Sequence, residues 1–131
     1  MAVGTVTITH TRQGSIRTLA AACVASSTDG SFPATVLPAF EGRLLDLIVN
    51  PGATAPQALY DLTVIDQYGH DVLEGLGANL SATVTSKAPI VYSGTGLHPA
   101  IDEGDVLTLT LVNNNVNSAI VDVAITYALG A

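Results

Sequence analysis

Polar and apolar residues alternate along most of this chain with a period of two. Over residues 3–10, Val6 and Ile8 fall on one side and Thr5, Thr7 and Thr9 on the other. Strict alternation over that length predicts a half-buried strand. Gln13, Gly14 and Ser15 then mark a turn. The next run, 16–25, predicts a second strand, with Ala20, Ala21 and Ala22 placing small side chains on both of its faces. Small residues let another element approach closely. Propensity also leaves a helix open to this run, but the neighbouring strand signals and the missing cap residues favour a strand.

Residues 26–31 are a polar loop, and Pro33 and Pro38 exclude both a helix and a central strand from 32–40, which reads as an irregular or edge segment. In 43–50, period-two alternation puts Leu45, Leu47 and Val49 on one face and Leu44, Asp46 and Ile48 on the other. Such a strand is apolar on nearly both sides and must be covered twice, by its own chain or by a partner. Cover by an element of its own chain is the simpler reading. Residues 59–66 predict a strand with Tyr60, Leu62 and Val64 on one face, closed by Asp66, Gln67, Tyr68 and Gly69 as a turn. Residues 71–79 have room for one helical turn between their glycines, 80–86 alternate again, and 90–92 form a short strand before a flexible 93–96 connection.

The last two strands are the clearest. Leu107, Leu109 and Leu111 alternate with threonines in 106–112, and Val121, Val123, Ile125 and Tyr127 alternate in 120–127. Residues 113–118 link them as a polar hairpin loop. About eight short strands predict an all-β, single-domain antiparallel β-sandwich or barrel over residues 1–131. The pattern leaves jelly-roll and immunoglobulin-like topologies both open.

Composition narrows the function classes. Hydrophobic residues make up 48% of the 131, whereas charged residues are 11%, well under the roughly 25% of an average soluble domain. Surface that stays in water normally carries mixed charges, so a chain this poor in them is expected to keep surface against something else. Net charge is −7, and Arg12, Arg17, Arg43 and Lys87 are the whole basic complement. Clustered Lys and Arg are what bind phosphates, so nucleic acid is not expected as a partner. No run nears the ~20 apolar residues of a membrane span, and the first residues lack the apolar segment of a secretory signal. Synthesis and folding in a cytoplasm are expected, without a membrane partner. The single cysteine, Cys23, lies in an apolar run and reads as a packing residue rather than a reactive thiol.

Catalytic and metal chemistry have few candidates. His70 lies near Asp66, Asp71 and Glu74, but no second histidine or cysteine stands at ligand spacing, so a solvated turn is the simpler reading. His10 and His98 have no partner in sequence. Asp102, Glu103, Gly104 and Asp105 resemble a fragment of a calcium loop without its closing bidentate Glu. The glycine pairs 75/77 and 94/96 lack the strand-to-helix setting of a phosphate cradle. No catalytic, cofactor or metal residue is assigned, and the protein is expected not to be an enzyme.

The segment 59–85, LYDLTVIDQYGHDVLEGLGANLSATVT, together with LTLTLVNNN and SAIVDVAITY, resembles small virion proteins of tailed bacteriophages. Among these, it is similar to the jelly-roll cement, or decoration, proteins of the capsid. The resemblance covers roughly the C-terminal half. It implies a jelly-roll sandwich on the outside of the icosahedral head, made in the host bacterial cytoplasm and binding the phage major capsid protein. It also implies self-association as a dimer or trimer, with the strand around Leu44, Asp46 and Ile48 a natural subunit or capsid contact. Competing readings are another phage structural component (head–tail joining, tail or fibre base) and a non-viral β-sandwich that binds a small ligand.

Overall fold

The computed structural model describes residues 4–92, 96–97, 101 and 104–129. Residues 93–95 of the expected flexible connection, His98, and Asp102 and Glu103 lie outside the described residues. Among the described residues there is no helix. The strands are β1 (Thr5–Thr11), β2 (Ile16–Val24), β3 (Thr35–Val36), β4 (Arg43–Pro51), β5 (Asp61–Ile65), β6 (Ser86–Pro89), β7 (Val91–Tyr92), β8 (Gly96–Leu97), β9 (Thr108–Val112) and β10 (Ile120–Ala128).

Two antiparallel sheets form a sandwich, one ordered β1-β2-β10-β4-β6 and the other β3-β9-β5, with β7 and β8 as a separate ribbon. The pairing is nested. β2 pairs with β10, β3 with β9 and β4 with β6. Innermost, Tyr60, just before β5, bridges Leu80. One long hairpin, wound so that successive strands alternate between sheets, produces this nesting, and it is the jelly-roll arrangement. β1 is an extra edge strand beside β2.

The core follows from the alternation. Leu19, Ala21 and Cys23 of β2, Leu62 and Val64 of β5, Leu109 and Leu111 of β9, and Val121, Val123, Ile125 and Tyr127 of β10 are all buried in one cluster. Residues on the opposite faces of the same strands are half-buried or exposed. Phe32 and Phe40, from the Pro-bearing segment, also reach this core.

Four sequence expectations need correction. Leu44 does not share a face with Asp46 and Ile48. Thr126 pairs with Asp46 but the next residue, Tyr127, pairs with Leu44, so Leu45 is the extra residue of a β-bulge. A bulge breaks strict alternation, and Leu44 turns into the core, only 2% exposed. Residues 113–118 do not form a hairpin, because β9 and β10 belong to different sheets. Asn113 takes a positive φ of 63°. Asn114 then ties the crossover down, donating to the Gly30 carbonyl and accepting from Gln57 N–H.

The other two concern residues 71–86. In place of a helical turn, 71–78 run through successive tight turns, with Glu74 N–H donating to the Asp71 carbonyl and Leu76 N–H to Leu73. Residues 81–85 are not a strand. The Ser81 hydroxyl accepts from Thr83 and Val84 N–H, a local bond that competes with a ladder.

Candidate interaction surface

The outer face of the five-stranded sheet is where sequence and fold converge. Its rows can be read across the strands. One runs Thr9, Ala20, Ala124, Ile48, Lys87, and the next Thr7, Ala22, Asp122, Asn50. A third runs Thr11, Thr18, Thr126, Asp46, Pro89. Alanines at the centre leave a shallow trough between a threonine ridge on β1 and the side chains of Ile48 and Asn50 on β4. In these rows only Asp46, Asp122 and Lys87 are charged. Asp46 Oδ1 is buried beside the bulge and has no hydrogen-bond partner among the described residues. Of the three contact candidates, Asp46 and Ile48 lie on this face and Leu44 does not.

Alternation made each strand's outer residues readable, but not that β1, β2, β10 and β4 would lie side by side. The alanines of β2 and Ala124 of β10 are over a hundred residues apart in sequence, and only the nested pairing brings them together.

A second cluster was invisible in the sequence. His10 on β1 meets Tyr127 on β10, with Nε2 to Oη at 2.5 Å. Arg12 Nε donates to His10 Nδ1 at 3.1 Å, and Arg17 Nε donates to the Gly14 carbonyl. These side chains surround a small polar recess closed by Ala39, Phe40 and Glu41. Burial holds the His10 pKa below its usual value, and the two guanidiniums add to the effect. The imidazole is therefore neutral near pH 7.

The His70 cluster is a turn. Asp66 accepts from Tyr68 and His70 N–H, and Asp71 accepts from Val64, Leu73 and Gly75 N–H. Both carboxylates thus serve the backbone. His70 Nε2 lies 3.5 Å from Glu74 Oε2 at the surface. No group of three or more His, Cys, Asp or Glu side chains among the described residues is placed to hold a metal ion. In the acidic loop, Asp105 accepts from Gln67 Nε2, and Gln67 Oε1 accepts from Val106 N–H. Gly77 has a packing reason, since a Cβ there would lie 2.1 Å from the Leu62 carbonyl oxygen. Cys23 is buried. No helix among the described residues is long and apolar enough to cross a membrane.

Comparison with protein-family models, with curated proteins and with solved structures gives no significant match.

Proposed function

We propose that this chain is a non-enzymatic virion structural protein, a cement or decoration protein of a tailed-phage head. It sits on the capsid exterior and bridges neighbouring subunits of the major capsid protein. The observation that supports this reading best is the wide outer face of the five-stranded sheet, more than half Thr and Ala in its central rows, with three charges among them. Charged side chains are costly to strip of water, whereas methyls and hydroxyls on a sheet are cheap to cover and still hydrogen-bond at a rim.

The mechanism is additive. Packaged DNA presses outward on a filled head. A rigid sandwich laid across a subunit boundary adds interface that expansion must break, and many copies multiply a modest energy per site. With net charge −7, such a clamp is repelled by stray DNA. The sequence resemblance of 59–85 and of the closing strands points the same way.

Co-sedimentation with purified heads of the virus that encodes the chain tests the reading. Saturable binding at a fixed ratio to the major capsid protein is expected, and Ala22→Arg with Ala124→Arg should abolish it without unfolding the protein. Heads that bind no chain at any concentration would sink the proposal.

A further inference from the structure

Among the described residues, every edge of the sandwich is closed except one. β6 is four residues long and carries Lys87 and Pro89, both of which keep an edge from pairing. β3 is two residues long and lies between Pro33 and Pro38. β5 is covered by its own chain, through Leu62 N–H to the Gly77 carbonyl, Val72 N–H to Val64 and Leu80 N–H to Tyr60. β1 has none of these devices. It runs seven residues in unbroken register with β2, without Pro, Lys, Asp or Glu. Beyond that pairing, no backbone hydrogen bond to residues 5–11 is present among the described residues. An open edge of that kind is a template for another strand.

The sequence of β1 says which strand. It reads TVTITHT, nearly the same in both directions about Ile8. Threonines occupy the exposed positions, and Val6, Ile8 and His10 the half-buried ones. The five-stranded sheet overhangs a three-stranded one, and Val6 and Ile8 pack only partly against the core. A strand symmetric in this way complements itself about a two-fold axis. The ends are complementary too. Arg12 follows one end of β1, whereas Gly4 at the other end packs on the turn that holds the exposed Asp29.

We propose that β1 pairs antiparallel with β1 of a second copy about an axis through Ile8, so that one sheet runs through both. In that register Thr7 stands opposite the partner's Thr9, and Ile8 opposite the partner's Ile8. Arg12 of each copy reaches toward the Asp29 turn of the other. The pairing rests on the edge alone, not on what the flat face binds.

Sedimentation equilibrium of the full chain, from micromolar to near-millimolar concentration, tests it. The wild type forms a dimer that dissociates on dilution. Thr7→Lys with Thr9→Lys sets ammonium opposite ammonium on both sides of the axis, which weakens the dimer about tenfold or more. Thr7→Lys with Thr9→Glu sets ammonium opposite carboxylate and restores the dimer to wild-type strength or better. Both positions are exposed, so both variants fold, as circular dichroism would check. A wild type that stays monomeric throughout overturns the proposal. So do two double variants that dimerise equally, because the axis would then lie elsewhere. Head binding is a separate readout, and its loss leaves this result untouched.

Discussion

His10 of β1 and Tyr127 of β10 are joined by a 2.5 Å hydrogen bond that reaches across β2. The direction of the bond is fixed by a third residue. Arg12 donates to Nδ1, so Nδ1 accepts and the neutral ring carries its proton on Nε2. His10 therefore donates to the tyrosine oxygen. The tyrosine ring in turn packs on Phe40 at 4.4 Å between centroids, which links the added edge strand to the core.

This geometry predicts an acid-sensitive contribution to stability. The His10 pKa in the folded chain lies below its ordinary value of 6.5, from burial first and then from Arg12 and Arg17. On acidification the unfolded chain takes up the proton first. Stability is thus fully present above about pH 6.5, falls as pH drops toward the folded pKa, and then levels. Urea unfolding between pH 7.5 and 4.5 should show this slope, and His10→Gln should remove that part of it. An unchanged slope in the variant would mean that the histidine is not held neutral.

The bulge at Leu45 separates two residues that simple alternation would unite. Leu44 is buried in the core, so Leu44→Ala should cost about 2–5 kcal/mol in denaturant unfolding. Ile48 lies on the outer face, and Ile48→Thr should stay within about 1 kcal/mol of wild type. Similar losses in the two variants would contradict the bulged register.

Asp71 holds three backbone N–H groups with one carboxylate. Asp71→Ala leaves them without that acceptor and should cost about 1–3 kcal/mol. His70, whose contact with Glu74 is at the surface, should tolerate alanine within about 0.5 kcal/mol. A His70 variant as unstable as the Asp71 variant would assign the turn's strength to the wrong residue.

Much of the fold was legible because half-buried strands carry their burial in alternation. Val121 to Tyr127 could be assigned to the core, and Tyr60, Leu62 and Val64 to one buried face, from period alone. What alternation does not encode is which strand lies beside which. Two strong strands flanking an Asn-rich loop suggest a hairpin, yet β9 and β10 pass to different sheets. Partners for β10 lie about 70 to 110 residues upstream, and nothing local marks them. The bulge was hidden for a related reason, since Leu44, Leu45 and Leu47 look equally suited to a core. Of the candidate contact face, the individual Thr and Ala positions could be read, but their assembly into one surface could not. The contact between His10 and Tyr127 spans 117 positions and leaves no trace in either residue's neighbourhood.

Cys23 and Tyr60 carry the last prediction, at the alkaline end. Both are fully buried, at 0% exposure, and the Tyr60 hydroxyl has no hydrogen-bond partner among the described residues. Burial, with a smaller contribution from Asp122, pushes the Cys23 thiol up from 9.0 to about 12. Burial, with Cys23 nearby, pushes Tyr60 up from 10.0 to about 12. An acid whose folded pKa is raised stays protonated in the fold after the unfolded chain has ionised. Stability is therefore present below pH 9 and is lost as pH rises from 9 toward 12. Cys23→Ala should flatten the part of the decline that begins at pH 9 and leave the part that begins at pH 10. A native thiol of this kind is also unreactive. A disulfide reagent at pH 8 should label Cys23 only as fast as the chain opens, and at full stoichiometry in denaturant. Rapid labelling of the folded protein would show that the centre of β2 is reached by solvent.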